Sequence, residues 1–150
     1  MTSPKILIVE DQKLTLESLE YAVNALFPKY FTKFKKGQYD VARCYRDARD
    51  KIIENIYQFI LLDHKIPMND PGDLEDTNFH AFCDSLQNIG YTLISGIRER
   101  NLPTVIIGTS SLKGNELRQM PKPDFSISKM WGEAENDLEN ILKQLKGGLQ

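Results

Sequence analysis

The chain is predicted to be an α/β protein in which five strand and helix pairs, (βα)5, build one parallel sheet, and three observations carry that expectation. Apolar runs of strand length alternate with segments of helical spacing along the 150 residues, the pattern of βαβ units. Some of those runs are continuously apolar, as strands covered on both faces must be. Four of them end on a charged or hydroxyl side chain: Ile6-Leu7-Ile8-Val9 on Glu10-Asp11, Phe59-Ile60-Leu61-Leu62 on Asp63, Val105-Ile106-Ile107 on Thr109, and Phe125-Ser126-Ile127-Ser128 on Lys129.

Residues 5–9 are the first strand, and Leu16, Leu19, Ala22, Val23 and Leu26 fall at helical spacing after it. Residues 41–45 are the second strand, followed by a helical stripe of Ala48, Ile52, Ile53 and Ile56. Residues 59–62 form a buried third strand. Leu93, Ile94 and Ile97 mark the next helical face, Pro103 stops it, and residues 104–107 are the fourth strand. Residues 125–128 are shorter and less apolar, as an edge strand is. The last helix carries Ala134, Leu138, Ile141, Leu142 and Leu145 on one stripe, with Gly147-Gly148 as its stop.

Two connections exceed the usual 2–6 residues. Residues 27–40 interleave Phe27, Tyr30, Phe31 and Phe34 with Lys29, Lys33, Lys35 and Lys36. Basic residues among aromatics are one way to hold a single-stranded nucleic acid; in an acidic chain the expected arrangement is an extended first helix with packed aromatics and solvated lysines. The other connection is an insertion of about residues 68–89. Its first part is acidic and turn-rich, with Asn69-Asp70-Pro71-Gly72, and Phe79, Phe82, Leu86 and Ile89 then fit one face of an added helix.

Length predicts one domain spanning residues 1–150, long enough to fold without disulfides. Two cysteines fit reduced thiols. A net charge of -2 argues against a globally basic nucleic-acid binder, so no DNA partner is expected. Apolar runs are too short to cross a bilayer and the N-terminus has no signal-peptide pattern, so a cytoplasmic protein without membrane insertion is expected.

Ligands of open α/β sheets bind outside the carboxyl ends of the strands, which would bring Glu10, Asp11, Asp63, Thr109 and Lys129 to one place. Like charges at 4 Å repel by about 4 kcal/mol at an effective dielectric of 20, so a cation is the natural compensation. Carboxylates without a clustered His or Cys form a hard oxygen site that suits Mg²⁺ better than Zn²⁺. An aspartate carboxylate can attack phosphorus, and nearby positive charge shields the incoming oxygens. Lys129 supplies such charge, and the Thr109 hydroxyl can donate to a phosphoryl oxygen.

An acid pair after the first strand, Asp63 after the third with Pro67 four residues on, Thr109 after the fourth and Lys129 after the fifth resemble the receiver domain of two-component response regulators. The resemblance covers nearly the whole chain. It implies a flavodoxin-like three-layer sandwich with a parallel sheet of order 2-1-3-4-5, and phosphorylation of Asp63 by a histidine kinase or histidine phosphotransfer protein. It also implies Mg²⁺ held by Asp11, Asp63 and the Lys65 backbone carbonyl, with Glu10 acting through water. The chain departs from the family pattern at Met130, where proline is usual after the lysine, and at Ser126, where an aromatic switch residue often sits. Gly114 lies in a weak helix, Met120-Pro121-Lys122-Pro123 replaces its usual end, and the insertion has no counterpart in an ordinary receiver.

His64 adjoins Asp63, but strand alternation points it away from the site. His80 and Cys83 are three apart and amount to half a zinc site, so a packed or surface pair is expected. Cys44 reads as a small buried hydrophobe and Trp131 as a packing residue. The functional expectation is a stand-alone response regulator that accepts a phosphoryl group, is not an enzyme beyond slow autodephosphorylation, and signals to a downstream protein by contact. Oligomeric state is left open. One alternative is a receiver-like adaptor that binds its partner independently of phosphorylation. Another is an aspartyl-phosphate phosphohydrolase, which needs a second acid two residues after its nucleophile, where this chain has Lys65. No Gly-rich phosphate loop supports a nucleotide enzyme.

Overall fold

The computed structural model describes residues 3–112 and 114–148. Along the chain run β1 (Ile6–Val9), α1 (Lys13–Tyr30), β2 (Asp40–Ala42), α2 (Tyr45–Glu54), β3 (Phe59–Leu62), β4 (Lys65–Pro67), α3 (Leu74–Thr77), α4 (Phe79–Asp84) and β5 (Leu86–Asn88). A 3-10 turn (Gly90–Thr92), α5 (Leu93–Glu99), β6 (Val105–Gly108), α6 (Gly114–Leu117), β7 (Phe125–Ser126) and α7 (Glu133–Gly148) follow. Five strands form a parallel sheet of order β2-β1-β3-β6-β7. With the β4-β5 hairpin set aside, that is the expected order 2-1-3-4-5, a flavodoxin-like fold with helices on both faces.

Side chains alternate across each strand, so β1 sends Ile6 and Ile8 to one face and Leu7 and Val9 to the other. On the first face they meet Leu19, Val23 and Leu26 of α1 and Leu138 and Leu142 of α7. On the second they meet Ala48 and Ile52 of α2, Ile94 and Ile97 of α5, and Tyr57. Each fully buried aliphatic side chain contributes about 1.5–3 kcal/mol relative to exposure. This double cover explains the continuous apolar runs of β1 and β3, whose residues are all buried.

Several boundaries differ from the sequence reading. The second strand is Asp40–Ala42 rather than 41–45, because Cys44 already caps α2: its Sγ accepts from the Asp47 N–H at 3.4 Å. Ile53 and Ile56 are exposed, and Tyr57 fills the place expected of them. The fourth strand is shifted to Val105–Gly108, with Thr104 buried just before it and its hydroxyl donating to the Tyr57 carbonyl at 2.6 Å. β7 is only two residues, the open edge of the sheet. α7 still runs at Gly148, the last residue described, so no stop is seen at Gly147.

In residues 27–40 the aromatics are structural. Phe27 packs against Phe31, Phe34 and Phe59 with ring centroids 5.0–5.6 Å apart, while Lys29, Lys33, Lys35 and Lys36 are exposed. This is the extended-helix arrangement, and it leaves no aromatic platform for bases.

The segment after β3 is not one added helix. β4 and β5 pair antiparallel, with Lys65 opposite Asn88 and Pro67 opposite Leu86, and two short helices span the turn between them. Leu86 sits in a strand, and of the four residues expected on one helical face only Phe82 is buried; Phe79 is exposed. The hairpin closes on the main sheet through the Ile89 and Gly90 N–H groups, both donating to the His64 carbonyl at 3.0 and 2.8 Å. Gly90 is required there: a Cβ would lie 1.9 Å from the Asp63 carbonyl oxygen.

That contact is backbone on backbone and cannot be relieved by a rotamer change. Gly90→Ala is therefore expected to cost about 3 kcal/mol in urea unfolding. Gly96→Ala in α5, where nothing lies within 4 Å, is expected to add about 0.5–1 kcal/mol. Equal stabilities for the two variants would refute the packing described for the hairpin.

Candidate functional site

The site is built by register. Val9, Leu62 and Gly108 lie side by side as the last paired residues of β1, β3 and β6, so the residues after them emerge together at the carboxyl end. The ladder continues through them: the Asp63 N–H donates to the Val9 carbonyl at 3.2 Å and the Thr109 N–H to the Leu62 carbonyl at 2.9 Å. On the edge strand, the Ile127 N–H donates to the Gly108 carbonyl at 2.9 Å and aims the next residues inward. Glu10, Asp11, Asp63, Thr109 and Lys129 are thereby brought to one place.

One carboxylate oxygen from each of Glu10, Asp11 and Asp63 lies within 4.8 Å of the others, and all three residues are buried. Glu10 Oε2 accepts from the Asp11 and Gln12 N–H groups at 3.1 Å, and Asp63 Oδ1 accepts from the His64 N–H at 2.8 Å. The Lys129 ammonium sits between two acids, donating to Asp63 Oδ2 at 2.8 Å and to Glu10 Oε1 at 3.1 Å. The loop that carries it is held by the Ser128 N–H on Asp137 Oδ2 at 2.9 Å and the Met130 N–H on Ser128 Oγ at 3.1 Å. With Met130 in place of proline, the Lys129–Met130 peptide is trans.

One ammonium among three buried carboxylates leaves the site short of positive charge. Burial, with Glu10 and Asp63 nearby, pushes the Asp11 carboxyl up to about 8. Burial and Glu10 push Asp63 up to about 6, against the pull of Lys129. Burial works against the Lys129 charge, yet Asp63 and Glu10 hold its amine above the ordinary lysine value. Among the described residues, Asp11 Oδ2 and Thr109 Oγ1 are buried with no hydrogen-bond partner. An orphaned carboxylate oxygen beside two other acids fits a divalent cation with oxygen ligands. The free hydroxyl fits an acceptor that arrives from outside.

Elsewhere the sequence candidates fare differently. His64 is buried and points away from the carboxylates, its Nδ1 accepting from the Tyr91 N–H at 3.0 Å; burial lowers its pKa. Lys65, two residues past Asp63, opens β4 with its side chain exposed. His80 is exposed and pairs with Asp84 at 3.2 Å. Trp131 is not a buried packing residue: it is exposed and lies 5.5 Å from the Tyr21 ring. Ser126 is exposed on the edge strand.

Three residues near the site were not legible in the sequence. Arg43 donates to the Asp11 carbonyl at 3.3 Å and the Gly72 carbonyl at 2.9 Å, tying the insertion to the acid loop. Lys13 makes a second tie, its N–H donating to Glu75 Oε1 at 3.0 Å and its ammonium pairing with Asp76. Tyr91 is buried beside His64. Each depends on how the insertion folds back, which no local pattern announces.

The architecture is that of response-regulator receiver domains. A response-regulator receiver domain (CheY-like) from Methylobacillus flagellatus is similar at a TM-score of 0.59 and 18% identity, covering 96% of this chain and 99% of that one. The receiver domain of the Francisella response regulator 1452 matches at 0.55 and 21% identity over 98% and 99%. The Salmonella typhimurium response regulator RcsB, in a structure concerned with DNA interaction, matches at 0.61 and 15% identity, over 99% of this chain and 62% of that one. No protein-family model and no curated protein matches the chain. The likeness lies in the fold, and the site chemistry rests on the residues above. No described helix is long and apolar enough to cross a membrane.

An aspartate in the unfolded chain titrates near 4, so raising Asp11 and Asp63 means that the unfolded chain gives up these protons first. Their contribution to metal-free stability is full below about pH 4 and is lost as pH rises through 6 and then 8. Asp11→Asn, which keeps the shape and removes the charge, is expected to raise metal-free stability at pH 8 by on the order of 2 kcal/mol. It should change little at pH 4, and any stabilisation of the wild type by added Mg²⁺ should be absent from the variant. Urea unfolding at the two pH values, with and without Mg²⁺, checks this; equal wild-type and variant stability at pH 8 without metal contradicts it.

Proposed function

We propose that this chain is a Mg²⁺-dependent phosphoryl acceptor of the response-regulator kind, with Asp63 as the phosphorylated residue. The observation that carries the reading is the pairing of complementary unsatisfied groups around one carboxylate. Asp11 Oδ2 and Thr109 Oγ1 are buried without partners, and Lys129 already touches Asp63. Asp11, Asp63 and the Lys65 carbonyl would hold the metal, with Glu10 assisting through water. When bound, Mg²⁺ supplies charge that offsets the carboxylates and the incoming phosphoryl oxygens.

A carboxylate oxygen of Asp63 attacks the phosphorus of a phosphohistidine on a histidine kinase or phosphotransfer protein. The new P–O bond forms as the P–N bond breaks, and the imidazole leaves with the electron pair and takes up a proton. Lys129 moves its hydrogen bond from Asp63 Oδ2 to a phosphoryl oxygen, and the Thr109 hydroxyl donates to another. Two residues past Asp63, where a phosphohydrolase that forms an aspartyl phosphate carries a second acid, this chain has Lys65, which supports a signalling role. The signal then passes to a downstream protein by contact.

Incubation with Mg²⁺ and a small acyl phosphate is expected to give an acid-stable, base-labile adduct on the wild type and none on Asp63→Asn. Lys129→Met should lower the labelling rate by about 100-fold, as loss of one preorganised charge contact at a reacting centre does. Absence of adduct on the wild type, or equal labelling of Asp63→Asn, would overturn the proposal. Partner binding that is equal with and without a phosphoryl mimic would favour the adaptor reading, for which the exposed Phe79 of the insertion is the most suggestive feature.

A further inference from the structure

Tyr91 occupies a place that joins three parts of the molecule. It stands in the 3-10 turn that ends the insertion, and its backbone is clamped to the strand end beside Asp63. The Gly90 N–H donates to the His64 carbonyl at 2.8 Å, and the Tyr91 N–H donates to His64 Nδ1 at 3.0 Å, with the two rings 4.8 Å apart. Its phenol lies across the end of β6, a position that needs glycine beneath it. A Cβ on Gly108 would lie 2.3 Å from the Tyr91 hydroxyl and 2.8 Å from Pro123 Cγ. There the phenol oxygen accepts from the Ser110 N–H at 3.3 Å. Ser110 follows Thr109, whose buried hydroxyl has no partner.

Tyr91 also borders a cavity of about 270 Å³, lined further by Leu117, Pro121, Pro123, Phe125 and Ser126, with Lys122 and Asp124 at the same rim. Ser126, on the edge strand, is small and exposed. The buried ring thus borders open space, and its phenol is held by one long hydrogen bond from Ser110.

We infer that Tyr91 is a positioning residue that latches the loop of Thr109 and Ser110 in its resting place and turns toward the Leu117–Ser126 cavity when a phosphoryl group arrives at Asp63. The inference rests on the phosphoacceptor reading above. When Thr109 Oγ1 reaches a phosphoryl oxygen it draws Ser110 with it, and the Ser110 N–H leaves the phenol. The freed ring enters the cavity and alters the surface formed by α6 and β7. The coupling is physical: Tyr91 touches the neighbours of Asp63 and of Thr109, and site occupancy biases its two positions.

The test uses protein with ¹³C-labelled tyrosine rings, Mg²⁺ and beryllofluoride as the phosphoryl mimic. The Tyr91 ring resonance is assigned by its loss in Tyr91→Phe, and bound mimic is read independently by its fluorine resonance. Binding should shift the Tyr91 resonance in the wild type. Tyr91→Phe keeps the ring but removes the acceptor for Ser110, so it should bind the mimic about three- to tenfold more tightly, the worth of one ordinary hydrogen bond. A residue that only packs would leave affinity unchanged or weaken it. Bound mimic with an unmoved Tyr91 resonance, or with no gain in affinity for Tyr91→Phe, overturns the latch and leaves the phosphoacceptor reading standing. Absence of any bound fluorine signal overturns that reading and the latch together.

Discussion

Three carboxylates held out of water at the ends of two neighbouring strands, with a single lysine ammonium among them, set the terms for the rest of the molecule. At the short separations seen here each like-charge pair costs several kcal/mol in a partly desolvated environment. The protein answers with backbone N–H donors to Glu10 and Asp63 and with Lys129. That leaves Asp11 only partly answered, and its carboxyl retains its proton into the neutral range. The deficit favours a divalent cation with oxygen ligands.

The fold meets this constraint by geometry rather than by added charge. Parallel register places Glu10, Asp63 and Thr109 on three adjacent strands at one level. Helices on both faces hold the strands rigid, so the acids cannot relax apart. Two close approaches then bring the insertion against the site: the Gly90 backbone on the Asp63 carbonyl and the Tyr91 side chain over Gly108. Arg43 and Lys13 fasten its first half to the loop of Asp11. The insertion is therefore joined to the site at two points, and its position depends on the same strand ends that carry the acids.

Much of this was legible in the sequence, for identifiable reasons. Buried parallel strands must be continuously apolar, and Ile6 to Val9 and Phe59 to Leu62 show it; ligands gather at the carboxyl ends, so Glu10, Asp11, Asp63, Thr109 and Lys129 could be expected to meet. The extended first helix followed from the acidic balance of the chain, which made the lysines of residues 27–40 a solvated face. What was not legible depended on long-range return of the chain. Phe79, Phe82, Leu86 and Ile89 have helical spacing, yet pairing of Leu86 with Pro67 made a strand of the last part. Ile53 looked like core until Tyr57, from beyond the helix, took its place. Tyr91 carries no motif at all, and its position depends on the close approaches that glycines at 90 and 108 allow.

The acid cluster is short of positive charge, and a proton on Asp11 offsets part of that deficit at neutral pH. Calorimetric titration of the protein with Mg²⁺ at pH 7, in two buffers of different ionisation enthalpy, measures that proton directly. With the Asp11 carboxyl at about 8 and ionisation required of a carboxylate ligand, binding should release about one proton per Mg²⁺ in the wild type and almost none in Asp11→Asn. Mg²⁺ binding that releases no proton from the wild type, or no binding at all, would contradict the account.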